Sequence, residues 1–230
     1  MEDYLQVTNA IAMSMGAAWA SGINLYAAVL MLGVLGHTGN IVLPEGLMVL
    51  AHPLVIGSAA VMYVAEFFAD KTPGVDTGWD VIHSFIRIPA GAVLAAGAVG
   101  DVNPAVAVAA GILGGAMAAV SHVAKSGTRV LINTSPEPFS NWTASLAEDV
   151  AVIGGLWAAL HYPLVFLGMA LLWILLLIWL LPKIGRGITT VFRKLREGFG
   201  ARPRPVAAPS GIGVGAGTVM VPDRNSMDAE

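Results

Sequence analysis

Apolar residues in this chain form six long segments, and charged residues are concentrated in the links between the segments and at their ends. The hydrocarbon core of a bilayer is about 30 Å thick and needs roughly 20 apolar residues in a helix. The pattern therefore predicts an all-α, polytopic membrane protein with about six transmembrane helices. The predicted segments are 5–36, 47–68, 79–99, 104–123, 145–160 and 163–181.

The first segment is too long for one straight helix that crosses the bilayer perpendicularly. Its centre contains Ser21, Gly22 and Asn24, which are poorer helix formers than the alanines and leucines around them. We expect an interrupted helix with its break at these three residues. A long tilted helix whose small residues pack against a neighbour is the alternative. The stretches 40–50 and 133–145 are candidates for re-entrant loops.

The basic residues predict the orientation in the membrane. Lys71 and Arg87 flank the second link, Lys125 and Arg129 lie at the fourth link, and the other eight of the twelve lysines and arginines follow the last apolar segment. Basic residues near the ends of membrane spans stay on the cytoplasmic side. We therefore expect a multi-pass protein of the inner membrane with both termini in the cytoplasm.

The composition agrees with a membrane environment. Only 12% of the residues are charged, whereas soluble domains carry roughly 25%. The chain has no cysteine, which excludes disulfides and thiolate metal sites. Its acidic start, Met1-Glu2-Asp3, differs from the basic start of a cleaved signal peptide, so we expect the first span to be retained.

Three regions are expected along the chain. Residues 1–182 form the transmembrane domain, residues 183–197 a basic juxtamembrane segment, and residues 198–230 a disordered cytoplasmic tail rich in Pro, Gly and Ala. The basic segment suits anionic lipid headgroups, where each basic residue contributes about 1 kcal/mol. The expected partners are the lipid bilayer and its anionic headgroups. A homo-oligomer is a further option, and a nucleic acid is not expected.

A weak internal similarity divides the transmembrane domain into residues 5–100 and 104–182. Halves of three spans each would be inverted relative to one another, and many transporters bind their substrate between such inverted repeats. Chance similarity is the alternative, because glycine and valine are abundant here. The matching pieces, in the same order in both halves, are 21–25 with 126–130, 44–45 with 136–137, and 55–57 with 152–154.

Charged and polar residues at or inside the span ends are the candidates for function, because ionisable groups in lipid are costly and are usually functional. Many are spaced by three or four residues, which aligns them on one helix face. In the predicted orientation they meet in one polar cavity open to the cytoplasm. The alternative is that each is an interfacial anchor or a capping charge. The binding or transport candidates are Glu66, Asp70, Asp80, His83, Arg87, His122, Lys125, Arg129, Asn133, Glu137, Asn141, Glu148 and Asp149.

No catalytic or metal motif accompanies these candidates. The sequence has no HExxH-type spacing, no serine nucleophile motif and no glycine pattern of a phosphate-binding loop. The bases among the candidates would repel a divalent cation and suit an anion better. We therefore predict no metal site, no cofactor and no catalytic residue. The side chains that could still bind a divalent ion are His83, His122, Glu66, Asp80 and Glu148.

Five stretches form a distinctive set of motifs: Glu66-Phe-Phe-Ala-Asp-Lys-Thr-Pro-Gly-Val-Asp76, Trp79-Asp-Val-Ile-His-Ser-Phe-Ile-Arg87, Lys125-Ser-Gly-Thr-Arg129, Asn133-Thr-Ser-Pro-Glu-Pro-Phe-Ser-Asn141 and Ser145-Leu-Ala-Glu-Asp149. Together they resemble the bacterial membrane family catalogued as domain of unknown function 4126. The resemblance extends over about Leu5 to Pro182. It implies a multi-pass inner-membrane protein of bacterial type, and it implies no substrate, cofactor or catalytic residue.

The favoured function is a small transporter or channel-like protein for a small polar or anionic solute, or for a lipid headgroup. Arg87, Lys125 and Arg129 would attract the anion, while the acids orient these bases or relay protons. His83 could titrate near neutral pH. The alternatives are a membrane scaffold and an integral-membrane enzyme that acts on lipid headgroups. The enzyme should depend on a divalent metal, whereas a scaffold should tolerate neutral replacement of Asp80 and Arg87.

Overall fold

The computed structural model describes residues 2–72, 75–100, 103–132 and 138–199. Over these residues the chain is helical and has no strand, so the all-α prediction is confirmed. The elements in chain order are α1 (Glu2–His37), a 3₁₀ helix (Glu45–Ala51), α2 (Pro53–Ala69), α3 (Val75–Val99), α4 (Pro104–Ile132), α5 (Pro138–His161) and α6 (Pro163–Phe199).

The described helices agree with the prediction of about six membrane segments. Five of them are long and apolar enough to cross a bilayer, and the number rises to six when the 3₁₀ helix and α2 are counted as one bent segment. That bend is 68°. It occurs at His52, whose ring accepts a hydrogen bond from the backbone N–H of Leu54, with Pro53 at the first helical position of α2. The second predicted segment is therefore not one straight helix.

Helix α1 is broken at Asn24, whose backbone angles are φ −146° and ψ 95°. Its side-chain Oδ1 accepts a hydrogen bond from the N–H of Ala27 at 2.9 Å. Asn24 thus caps the start of a second helical arm, as asparagine commonly does. Ser21 and Gly22 belong to the first arm, residues 2–23, and the second arm comprises residues 25–37.

The first arm of α1 lies antiparallel to α3. Ser14 Oγ donates to the carbonyl of Ala95 at 3.0 Å, and Ser21 Oγ donates to the carbonyl of Arg87 at 2.8 Å. A later residue of the first arm therefore meets an earlier residue of α3. It follows that the arm starts beside the end of α3 and that Asn24 lies near its beginning.

The second arm of α1 leads back toward the same end of the bundle. Gly33 lies against the carbonyl of Leu50, and His37 Nδ1 lies 3.1 Å from the carbonyl of Ala51. The start of α1, residues 42–45 and the end of α3 line one cleft of about 730 Å³. Both arms thus leave from Asn24 in one direction, and α1 is a helical hairpin with Asn24 at its tip.

Helices α3 and α4 pack closely through small residues. A methyl group on Gly114 would overlap the Cβ atom of Ala95, and one on Gly91 would overlap the Cβ atom of Ala118. Close backbone approach of this kind is a common way for helices to associate in lipid. The small residues of the fourth segment therefore form a helix-packing face.

Aromatic residues attach α6 to the bundle. The ring of Trp19 makes edge contacts with the rings of Phe166 and Trp173, at centroid distances of 6.3 Å each. The leucines of α6 that face away from α1, such as Leu172, are exposed, which suits a lipid-facing surface. Helix α6 continues through residues 198 and 199, the first two of the predicted tail, and residues 200–230 lie outside the described part of the chain.

We predict that Gly114→Val destabilises the protein by about 1–3 kcal/mol or more, because the added atoms overlap Ala95 across the α3–α4 contact. Thermal unfolding in detergent measures the effect. The matched control is Gly168→Val in α6, where the space around the new Cβ is open. Equal melting temperatures for the two variants would contradict the packing described here.

Candidate functional site

The described candidates from the sequence come together in one buried cluster, which we call the charged cluster. It lies where α2 ends, α3 begins, α4 ends and α5 begins, and the tip of α1 reaches into it. Asn133 and Glu137 lie outside the described residues. The members of the charged cluster are Glu66, Asp70, Asp80, His83, Arg87, His122, Lys125, Arg129, Asn141, Glu148 and Asp149.

Arg87 joins α2 to α3. Its side chain is fully buried, and its two terminal nitrogens donate to Glu66 Oε1 at 2.7 Å and to Asp80 Oδ1 at 2.9 Å. Asp80 lies two helical turns before Arg87 on the same helix, so the helical spacing sets this second contact. Buried charges of this kind are tolerated only when they are paired.

Lys125 occupies the centre of the charged cluster. Its ammonium nitrogen lies 2.8 Å from Asp70 Oδ2 and 3.1 Å from the carbonyl of Ile23. Carboxylate oxygens of Glu66, Glu148 and Asp80 follow at 3.6, 3.5 and 3.7 Å. An ammonium group has three N–H donors. Four carboxylates and one carbonyl therefore compete for three donors.

Arg129 connects α4 to α5. It forms a two-pronged pair with Glu148, with Nε 3.1 Å from Oε1 and Nη2 2.7 Å from Oε2. Its Nη1 donates to the backbone carbonyl of Asp70 at 2.9 Å and lies 3.3 Å from Asn141 Oδ1. One guanidinium thus connects the ends of three helices through hydrogen bonds. Arginine suits this position better than lysine because its planar guanidinium presents several donors in a fixed geometry.

The break in α1 lies between a base and an acid. At the end of the first arm, the carbonyl of Ile23 accepts from Lys125. At the start of the second arm, Asn24 Nδ2 donates to Asp149 Oδ1 at 3.0 Å. The end of a helix carries a partial negative charge and its start a partial positive charge. The ammonium of Lys125 thus stabilises the negative end of the first arm, and the hydrogen bond between Asn24 and Asp149 lies at the positive start of the second arm.

The two histidines have partners that fit neutral rings. His83 Nδ1 lies 2.9 Å from the carbonyl of Trp79, which can only accept, and Nε2 lies 3.1 Å from the hydroxyl of Tyr26. His122 Nδ1 lies 3.4 Å from an arginine nitrogen, Arg87 Nη1, which can only donate. With neutral histidines, the positive charge of the charged cluster comes from lysine and arginine alone.

Acids outnumber bases in the buried part of the charged cluster. Glu66, Asp70, Asp80, Glu148 and Asp149 are the acids, and the fully buried bases are Arg87, Lys125 and Arg129. Four carboxylate oxygens have no hydrogen-bond partner among the described residues: Glu66 Oε2, Asp70 Oδ1, Asp80 Oδ2 and Asp149 Oδ2. Among the described residues the cluster therefore has four spare acceptor oxygens against two spare donors, Arg87 Nε and Trp79 Nε1, and each base contacts a carboxylate.

This pairing changes the interpretation of the three bases. From the sequence we expect Arg87, Lys125 and Arg129 to attract an anion. In the structure each base lies within 3 Å of a carboxylate oxygen, so an anion would have to displace an acid from it. Within the described residues, no group of three acids or histidines has the geometry to hold a metal ion.

Several participants were missed by the sequence reasoning. Members of the charged cluster form hydrogen bonds with three residues of apolar stretches, Ser21, Ser84 and Tyr26. A single polar residue in an apolar stretch gives little indication in the sequence that it belongs to a site. Lys71, just after α2, donates to Ser145 Oγ at 3.2 Å. Burial lowers the pKa of the Lys71 ammonium, while nearby Asp149 acts in the opposite direction.

We predict that Arg87→Gln lowers the free energy of unfolding by about 3–5 kcal/mol, because it leaves Glu66 and Asp80 buried without their donor. Denaturant unfolding in detergent micelles measures the change. Lys183→Gln, at an exposed position on α6, is the control and should stay within about 0.5 kcal/mol. A similar loss in both variants would argue against a structural ion network.

Comparisons with known proteins place the charged cluster within a family. Comparison with curated proteins gives no match, and comparison with solved structures gives none either. A family model matches residues 11–183, which include the tip of α1 and every described member of the charged cluster. The chain belongs to the family described as Domain of unknown function (DUF4126).

Proposed function

We propose that this protein is a small membrane transporter or channel-like protein, and that the break in α1 is the place where its solute binds. The observation that carries the proposal is the broken helix whose two inner ends face buried polar side chains, the base Lys125 and the acid Asp149. Transporters often bind substrates and coupling ions at such interrupted helices, because the free helix ends supply partial charges inside the membrane.

The contacts within the charged cluster favour a resting form in which the proposed solute site is closed. Lys125 and the Asn24–Asp149 pair fill the positions that a solute would use at the helix ends. A solute would enter by displacing these side chains, which requires the arms of α1 to move relative to α4 and α5. The cleft beside residues 6–13 and 42–45 offers a second opening at the opposite end of the bundle.

The charge balance favours a cationic or neutral polar solute over an anion. The bases are engaged by carboxylates at 2.7–2.9 Å, whereas four carboxylate oxygens lack donors among the described residues. A cation or an N–H or O–H donor can bind these oxygens without breaking an ion pair. An anion or a phosphate headgroup, which the sequence favours, would find one unoccupied donor on a described base, Arg87 Nε, and would otherwise have to break an ion pair first.

We propose an orientation in the inner membrane of a bacterium with the charged cluster and the C-terminus toward the cytoplasm. The placement of Lys71 and Lys183 supports this orientation, because basic residues flank spans on that side. The hairpin form of α1 supports an N-terminus on the opposite side, because both arms end away from the charged cluster. This proposal replaces the expectation of two cytoplasmic termini. Contact of the basic segment 183–197 with anionic headgroups, and a homo-oligomer, stay predictions.

The inverted repeat also stays a prediction. In the proposed alignment α1 corresponds to α4, and residues 21–25 correspond to 126–130. Helix α1 is broken at Asn24, whereas α4 continues as one helix through Arg129. If the repeat exists, the two halves have diverged at the position that carries the proposed binding site.

A scaffold is the second candidate, and one observation favours it. Every fully buried base of the charged cluster is paired, and the pairs join α2, α3, α4 and α5. Such a network could serve only to hold the helices in one arrangement. Transport activity that depends on the α1 break separates the two candidates.

We predict that liposomes containing the purified protein take up small cationic or neutral polar solutes faster than empty liposomes. The uptake rate of Lys125→Met should differ at least tenfold from that of the unmodified protein, because the ammonium of Lys125 occupies the break beside the carbonyl of Ile23. Lys183→Gln is the control and should leave the flux unchanged. Absence of flux under every imposed gradient would favour the scaffold, as would a flux that Lys125→Met does not alter.

We predict the topology from single cysteines introduced into this cysteine-free chain. Gln6→Cys and Asn40→Cys should react with an impermeant maleimide added outside intact cells. Thr72→Cys and Lys183→Cys should react only after the membrane is opened. All four positions are exposed. Labelling of Asn40→Cys but not Gln6→Cys from outside would mean that α1 crosses the membrane completely.

A further inference from the structure

Asp149 is the buried acid of the charged cluster that lacks a basic partner. Its side chain is only 6% exposed, and no described base lies within ion-pair distance of it. Asp149 Oδ1 accepts from the neutral amide of Asn24 at 3.0 Å, and Oδ2 has no hydrogen-bond partner among the described residues. This arrangement differs from that of Glu66, Asp70, Asp80 and Glu148, each of which contacts a base.

The groups around Asp149 do not supply the basic partner that it lacks. Glu148 precedes it on α5, the hydroxyl of Tyr63 approaches it from α2 as a neutral hydrogen-bond donor, and Asp70, Lys71 and Lys125 are the nearby charges. Lys71 donates to Ser145 and to the carbonyl of Phe67, and Lys125 is engaged by Asp70 and Ile23. The two nearby cations are therefore directed elsewhere, and two of the nearby groups are acids.

We propose that Asp149 is the proton-binding residue of the α1 break. An ionised carboxylate is costly to bury without a partner and is commonly neutralised instead. A proton on Oδ2 breaks no hydrogen bond described here, while Oδ1 keeps accepting from Asn24. The neutral acid thus fits the geometry in which both arms of α1 are docked.

The hydrogen bond between Asp149 and Asn24 connects the protonation of Asp149 to α1. Asn24 holds the start of the second arm through Ala27 and holds α5 through Asp149. Loss of the proton would place a full negative charge at the positive end of the second arm. The same loss would place that charge close to the acids Asp70 and Glu148. Protonation of Asp149 therefore changes the electrostatic interactions at the break.

A route for the proton leads toward the charged end of the bundle. Glu148 is 17% exposed in its side chain and is the most accessible acid of the charged cluster. Lys71 is half-buried beside Ser145, one turn before Asp149 on α5. The inference rests on the proposed transport function for its purpose: Asp149 would couple solute movement to a proton gradient. The proton site itself can be tested without any transport.

Infrared spectroscopy of the purified protein in lipid at neutral pH tests the proposal. We expect the carbonyl band of a protonated carboxylic acid, which shifts when the protein carries ¹³C-labelled aspartate. Asp149→Asn should abolish the band, and Glu45→Gln, an exposed acid at the opposite end of the bundle, should leave it intact. Absence of the band in the unmodified protein, or its persistence in Asp149→Asn, would overturn the proposal.

A second variant keeps the test decisive if Asp149→Asn does not fold. Asn24→Ser preserves a hydroxyl that can cap the second arm through Ala27 but removes the amide donor to Asp149. The band should move to higher frequency, because the carbonyl loses its hydrogen bond. An unshifted band would assign the proton to another aspartate. A band without any solute flux refutes transport alone, and flux without a band refutes the proton site alone.

Discussion

The cost of burying charge in a medium of low dielectric constant governs this structure. Each buried base must lie against acids, because an unpaired charge there costs several kcal/mol. Arg87, Lys125 and Arg129 meet this condition by drawing acids from three helices into one cluster. The ends of α2, α3, α4 and α5 are thereby fixed relative to each other.

The break in α1 follows from the same constraint. Free carbonyl and N–H groups at a helix end are as unfavourable in lipid as a lone charge, so a helix can stop inside a membrane only where other groups bind its ends. Lys125 binds the end of the first arm, and Asn24 with Asp149 closes the start of the second. The charged cluster and the hairpin therefore share contacts, and Lys125 and Asp149 take part in both.

Function follows from how firmly each acid is engaged. Acids that contact a base hold the helices together, and replacing their partners should cost stability. Asp149 contacts the break and lacks a base among the described residues, so it is the acid best suited to change its protonation. A transporter needs both kinds of group: a fixed frame and one element that responds to the ligand. The excess of acceptor oxygens is the reason that we propose a cation or a neutral donor as the solute in place of the expected anion.

The sequence by itself determined the class of fold and the residues at the ends of the spans, because hydropathy and helical spacing are local properties. It also indicated a break near Asn24, since small and polar residues weaken a helix locally. Only the tertiary structure decided that α1 folds back on itself, because a hairpin and a crossing helix have the same hydropathy. The pairing of each base, and the lack of one at Asp149, depend on contacts between residues far apart in the chain. No local pattern encodes those distances, so the proposed preference for a cation or a neutral donor, and the proposed proton site at Asp149, rest on the folded arrangement.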